Sequence, residues 1–264
     1  MIDLAGRRIL VTGGGSGIGR AIALGACSAG ADVVIAGRRT GVLDEVAAAA
    51  SGSGRISAVP ADIGDAASVT ALVAACRKRL DGIDGLVHAA GVHSIGESLA
   101  LDDEELERVL QTNLVGAFRV TREVGRVMLE AGAGSIVEIA SLSSYGGFPG
   151  RLAYAVSKAG LLEMTRTLAA EWGRRGVRIN ALVPGFVRTA IQDSLIERGL
   201  LDVEALEART PLGRRAEADD MVQPALFLLS DAARFVTGHG LLVDGGWLSF
   251  VGPVDRYSGT VSRP

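Results

Sequence analysis

Tyr154 and Lys158 stand four residues apart, and at a helical advance of roughly 100° per residue they project from one face, one turn apart. An ammonium can then sit beside a phenol. At about 4.5 Å and an effective dielectric of about 20 the attraction to a phenolate is roughly 3.7 kcal/mol, which would bring a phenol from about 10 toward 7. Such a group can exchange protons at neutral pH. Desolvation opposes part of this effect, and the positive charge of an oxidised nicotinamide would add to it. Tyr-x-x-x-Lys also recurs by chance, so its weight depends on the residues around it.

A second chemical signal lies near the N-terminus. Gly13, Gly15, Ser16, Gly17, Ile18 and Gly19 belong to the run from Thr12 to Gly19, between an apolar strand-like segment and an Ala/Leu-rich helical one. Glycine permits a sharp turn and close backbone approach, and a helix N-terminus offers unpaired N–H groups and a positive dipole end to a pyrophosphate. The strand before and the helix after make this a dinucleotide-binding turn rather than a chance glycine cluster. Where the second strand ends, a carboxylate would select NAD, but the sequence reads Gly37, Arg38, Arg39. Two guanidinium groups suit the extra phosphate of NADP(H), which is the favoured cofactor. NAD(H) stays open, because the arginines could simply solvate a loop and Ser16 adds no second basic group.

These residues need a scaffold, and the chain alternates short β-branched runs with longer amphipathic stretches. The alternation predicts βαβ units: one Rossmann-type, doubly wound α/β domain over residues 1–264, with a seven-stranded parallel sheet and helices on both faces. Strands are expected at about Arg8–Thr12, Asp32–Ala36, Ile56–Pro60, Gly85–Ala89, Ser135–Ala140, Arg178–Val183 and Leu241–Val243. Helices are expected over Gly17–Ala29, Gly41–Ala49, Ala66–Arg79, Asp102–Leu129, Ala155–Arg174 and Glu217–Leu229. Residues 188–211 break the rhythm, turning polar and weakly helical, and are read as a substrate lid. The tail after Trp247, with Gly252, Pro253 and Ser258, has no clear periodicity.

Net charge is −3 and the 27 Lys and Arg residues form no evident basic tract, which argues against nucleic acid or anionic membrane as partner. Cys27 and Cys76 lie on separate predicted helices with no metal or redox spacing, so buried thiols and no metal site are expected. Met1 to Val11 mixes charges with apolar residues and resembles neither a secretory signal nor an anchor, so a cytoplasmic enzyme is expected.

Taken in order, Thr12–Gly19, His88-Ala89-Ala90-Gly91, Asn113, Ser141, Tyr154, Lys158, Pro184-Gly185, Thr189, Pro211-Leu212-Gly213-Arg214, Val236-Thr237-Gly238 and Val243-Asp244-Gly245-Gly246 resemble the short-chain dehydrogenase/reductase family over nearly the whole length. The resemblance implies a hydride transfer between a nicotinamide cofactor and a ketone or secondary alcohol. Its general character is closest to 3-oxoacyl carrier-protein reductases and to sugar-acid and polyol dehydrogenases. It assigns Ser141 to the substrate oxygen, Tyr154 to proton transfer, Lys158 to the tyrosine and the nicotinamide ribose, and Asn113 to a water linking that lysine to solvent. Ser143 and Ser144 are helpers or loop hydrogen-bonders. Asp62 and Ile63 match the adenine contact, Ala90 and Gly91 border the adenosine and phosphate, and Pro184, Gly185, Val187 and Thr189 fall in the segment gripping the nicotinamide amide. Asp244 and His239 are read as structural. A homotetramer is implied, with the Asp102–Leu129 and Ala155–Arg174 helices at one interface.

Two positions depart from the family pattern. His88 and Ala89 replace a usual pair of asparagines, which removes an expected polar tie to the neighbouring backbone. Glu138 stands in a strand where a neutral residue is usual, and is expected to face a cleft or a basic partner. His93 either lines the substrate pocket or faces solvent. The alternatives to an NADPH-dependent carbonyl reductase are an NAD-dependent dehydrogenase of a polyol, sugar acid or steroid alcohol, and a nucleotide-binding regulator without turnover.

Overall fold

The computed structural model describes residues 2–250. Seven strands form one parallel sheet: β1 (Arg8–Thr12), β2 (Asp32–Gly37), β3 (Arg55–Pro60), β4 (Gly85–His88), β5 (Gly134–Ile139), β6 (Val177–Pro184) and β7 (Gly240–Val243). Their order is β3-β2-β1-β4-β5-β6-β7. Alternate residues feed opposite layers. Ile9 and Val11, with Val33, Ile35, Val137 and Leu182, enter one buried core, while Leu10, Val34, Leu86, Ile136 and Ile179 enter the other. Each such side chain contributes roughly 1.5–3 kcal/mol on burial.

Nine α-helices connect and cover the described strands: α1 (Gly17–Ser28), α2 (Thr40–Ala48), α3 (Ala66–Leu80), α4 (Asp103–Leu110), α5 (Ala117–Ala131), α6 (Leu152–Trp172), α7 (Ala190–Glu197), α8 (Val203–Arg209) and α9 (Val222–Leu229). Strand order reverses between β1 and β4, whose Thr12 and His88 are neighbours in register. The chain leaves both C-terminal ends there and opens a crevice, the usual ligand position in such sheets.

Three predicted helices differ from the observed ones. The single helix expected over Asp102–Leu129 is divided by a π-helical turn at Gln111–Gly116. Such a turn is disfavoured alone, and here the Asn113 amide offsets part of its cost by bonding the backbone of Val92. The helix expected from Ala155 starts at Leu152, because Gly150 (φ 74°) turns the chain and Ala155 N donates to Arg151 O at 2.8 Å. Tyr154 therefore lies in the first turn. The helix expected over Glu217–Leu229 opens as a 3₁₀ turn, Ala218–Met221. Pro224 has no N–H to continue the ladder backward, and Asp220 caps the turn by accepting from Glu217 N at 2.8 Å. Residues 188–211 contain α7 and α8. Of the tail, Trp247–Ser249 forms a short turn with Trp247 buried, while Gly252, Pro253 and Ser258 lie outside the described residues.

Candidate active site

The crevice is two connected cavities. One, of about 290 Å³, is lined by Gly13, Ser16, Gly17, Ile18, Gly19, Ala90 and Gly91 at one end and by Ser141, Tyr154, Lys158, Pro184, Gly185, Val187 and Thr189 at the other. The second, of about 200 Å³, is lined by Gly15, Arg38, Arg39, Asp62 and Ile63 and shares Gly13, Ser16, Ala90 and Gly91 with the first. Every residue expected to touch a dinucleotide thus borders one or the other of these adjoining cavities, while Asn113 lies behind their wall.

The residues present fit a dinucleotide. Gly13 has φ 67°, and a Cβ there would stand 2.6 Å from Ala90 N, so only glycine allows the two loops to approach. A Cβ on Gly19 would collide with the Gly13 carbonyl. Ser16 precedes α1 in extended conformation without a side-chain cap, which leaves the first N–H groups directed at the channel. Arg38 and Arg39 are exposed at the end of β2 and make no ion pair among the described residues. Asp62 is committed in part to its own turn, accepting from Gly64 N at 2.8 Å.

At the reacting end, Tyr154 keeps part of its surface open to the cleft. The expected acidification of its phenol is not what the fold produces. Burial raises the phenol above its ordinary value, and the nearby Ser141 hydroxyl and the Arg151 charge only partly oppose this. Lys158 Nζ lies 5.8 Å from the Tyr154 ring centroid and donates to Ile139 O at 2.6 Å, so its charge is turned toward the floor of the site. Burial lowers Lys158 to about 8, against the opposing pull of Glu138. For both groups the cost of desolvating the charged form is the largest influence.

Asn113 is placed by the π turn. Its amide accepts from Val92 N at 2.7 Å and donates to Val92 O at 2.9 Å and to Ser157 Oγ at 3.1 Å. The side chain thereby clamps the loop after β4 against α6. Ser141 Oγ accepts from Ser143 N at 3.2 Å, and Ser144 Oγ donates to Lys158 O at 2.8 Å, fastening the loop to α6.

Both departures from the family pattern lie beneath this floor, in register on β4 and β5. His88 makes no side-chain bond to the neighbouring backbone among the described residues: Nδ1 meets the Thr12 hydroxyl at 2.9 Å, Nε2 has no partner, and burial holds the imidazole at about 3 and hence neutral. Glu138 faces neither a cleft nor a close basic partner. It is fully buried, accepts from Thr121 Oγ1 at 2.6 Å through Oε1, and leaves Oε2 without a partner. Burial raises it to about 7, with the Thr121 bond and the Lys158 charge opposing.

Sequence reasoning missed Arg151. Arg151 lines the cleft one turn ahead of Tyr154. The alternatives for His93 are resolved: it stacks on Tyr154 with centroids 4.2 Å apart. Asp244 is structural, accepting from Gly246 N and Leu248 N at 2.9 Å each. The His239 side chain is exposed while its backbone pairs with Asn180 and Ala181. Cys27 and Cys76 are buried free thiols, and burial pushes Cys76 up to about 12.

The family model described as Enoyl-(Acyl carrier protein) reductase matches residues 13–248. The chain belongs to the short-chain dehydrogenase/reductase family. This short-chain dehydrogenase/reductase is 40% identical over 253 residues to an uncharacterized member from Sinorhizobium fredii, covering 92% of this chain and 44% of that relative, so it spans less than half of that protein. It is 39% identical over 248 residues to a galactitol 2-dehydrogenase (L-tagatose-forming) of Cereibacter sphaeroides, covering 92% and 96% of the two chains. Among solved structures, one provisionally named an NAD(P) dependent gluconate 5-dehydrogenase, from Beutenbergia cavernae with NADP bound at low occupancy, superposes with a TM-score of 0.85 at 43% identity over 94% and 99% of the chains. Membership makes the protein a nicotinamide-dependent oxidoreductase of alcohols and ketones. No helix among the described residues is long and apolar enough to cross a membrane, and no metal-binding cluster occurs among them.

Proposed function

We propose that the protein is an NADPH-dependent carbonyl reductase of a small-molecule ketone. The observation that carries the reading is the pair of adjoining cavities that share the glycine turn, one reaching Arg38 and Arg39 and the other Ser141 and Tyr154. Arg38 and Arg39 would hold the adenosine phosphate, the N–H groups after Ser16 the pyrophosphate, and Asp62, Ile63, Ala90 and Gly91 the adenosine. Lys158 would hold the nicotinamide ribose, and Pro184, Gly185, Val187 and Thr189 the carboxamide.

When bound, the reduced nicotinamide supplies the hydride. Ser141 orients the carbonyl oxygen, and Tyr154 donates the phenolic proton to it as the carbonyl carbon accepts the electron pair. One ketone and one solvent proton are consumed, one secondary alcohol forms, and solvent reprotonates the phenolate. Reduction needs the phenol protonated before the transfer, and burial keeps it so while leaving it a weaker acid than an unperturbed phenol. Asn113 keeps the loop after β4 in place.

Residues 188–211 would act as the lid: Gln192 and Leu195 of α7 border the cleft, and Glu207 of α8 ties it to Arg188 and Arg215. A homotetramer is supported by the exposed Val115, Phe118, Leu152 and Val156, which put apolar surface on the helices expected at one interface. The unpaired thiols suit a cytoplasmic setting.

The second reading, an NAD-dependent polyol dehydrogenase, draws on the galactitol 2-dehydrogenase relative. Titrating NADPH and NADH by fluorescence, then screening ketones and polyols at the nicotinamide absorbance, separates the two. Tenfold tighter NADH binding would overturn the first in favour of the second.

A further inference from the structure

The cleft contains a cation for which the proposed chemistry has no use. Arg151 ends the loop that Gly150 turns into α6, and its guanidinium reaches only one partner, His93, with Nη1 3.4 Å from Nε2. A guanidinium has five N–H donors. Arg178, the other arginine whose ionised form is disfavoured by burial, spends its donors on the carbonyls of Val236, Leu228 and Ser230. Arg151 has no such set and no ion pair among the described residues. Among the described residues no Asp or Glu borders its cavity, and the one other cation there is Lys158.

His93 fixes where this charge sits. Its ring stacks on Tyr154, and burial followed by the Arg151 charge lowers it to about 4, so at neutral pH it is an uncharged surface between the phenol and the guanidinium. The charge is therefore held beside the reacting end of the cleft, near enough to influence Tyr154 itself. Phe148 and Phe186 add apolar surface to the same cavity, and its other polar side chains, Ser141 and Gln192 among them, are uncharged.

We infer that Arg151 anchors a carboxylate on the substrate, so that the protein reduces keto acids in which the carboxylate lies a few bonds from the ketone, with His93 as the positioning residue. The inference rests on the carbonyl-reductase reading and narrows its substrate class. One guanidinium balances one negative charge and presents parallel N–H donors that match a carboxylate. A phosphate dianion would leave a charge uncompensated in a cleft whose second cation is assigned to the ribose.

The test compares wild type, Arg151→Gln and Arg151→Lys on acetoacetate and levulinate, each beside its methyl ester, with cyclohexanone as a neutral ketone. A parallel binding arm follows thermal stabilisation of the NADP⁺ complex by malonate, which cannot be reduced. The expected result is that wild type prefers acid over ester. Arg151→Gln should lower the acid-to-ester ratio of kcat/KM by about 30-fold, chiefly through KM, as loss of a charged hydrogen bond predicts. Arg151→Lys should recover part of the ratio, and malonate should stabilise wild type but not Arg151→Gln. Equal losses for acid and ester through kcat, with a displaced pH profile, would overturn the inference by making Arg151 a group that acts on Tyr154 alone. Turnover of cyclohexanone and esters with keto acids rejected would sink the anchor and leave the reductase reading standing. If wild type reduces none of them, the reductase reading fails, and the malonate shift alone then decides for or against the anion site.

Discussion

Replacing Glu138 by glutamine changes one ionisable group of the buried floor and little volume. Thr121 Oγ1, 2.6 Å from Oε1, can still donate to the amide oxygen, while the new NH₂ occupies the position of the unpartnered Oε2. That misfit costs about 1–3 kcal/mol at every pH. The pH-dependent part is separate. A carboxyl raised from 4.5 to about 7 holds its proton more tightly in the folded chain than in the unfolded one, so its contribution is intact below pH 4.5 and is lost as pH rises toward 7. At 1.36 kcal/mol per tenfold change in proton affinity, the loss is on the order of 3 kcal/mol. His88 and His93, held at about 3 and about 4, run the other way, with stability gained as pH rises toward 6.5. They are present in both proteins and cancel in the difference. Urea unfolding followed by circular dichroism, at fixed protein and salt concentration, should show Glu138→Gln gaining on wild type by about 3 kcal/mol between pH 4.5 and 7. A flat difference curve across that interval would refute the argument that burial governs this carboxyl.

Tyr154→Phe should leave NADPH affinity within about twofold and lower kcat by about 10²–10⁴, checked by fluorescence titration and steady-state kinetics; Lys158→Ala should weaken both. Because Glu138 raises Lys158, Glu138→Gln should move Lys158 further below about 8, read as an acidward shift of the kcat/KM profile against pH. Gly13→Ala must place a methyl 2.6 Å from Ala90 N at a φ of 67°, so NADPH binding should weaken tenfold or more in a calorimetric titration. The double variant Phe118→Glu with Val156→Glu should yield a smaller species in size-exclusion chromatography if those exposed side chains form the expected interface.

The glycine turn and the elements flanking it were legible because each requirement is local: a positive φ at Gly13, a short apolar strand before it, a helix after it. Tyr154 and Lys158 were legible for the same reason, being one helical turn apart. The direction in which the phenol shifts was not, since it depends on burial by segments distant in sequence. Asn113 was found by its place in the motif order, yet its π turn left no trace in the apolar periodicity, which runs unbroken across Asp102–Leu129. Pro224 did mark the broken start of α9, but the apolar pattern outweighed it. Arg151 becomes meaningful only when Gly150 turns it toward His93, and that juxtaposition spans 58 residues of chain.

The widened turn at Gln111–Gly116 also limits how the enzyme can be redesigned. Removing one residue there would let the chain recoil into regular helix, at a local gain in backbone regularity. The helices on either side would keep nearly the same phase, because the wide turn already absorbs the additional residue. What would be lost is the Asn113 clamp on Val92, which the wide turn carries. Transplanted segments from relatives should therefore preserve residue count across this turn even where identity is free to vary, because the extra residue places the clamp.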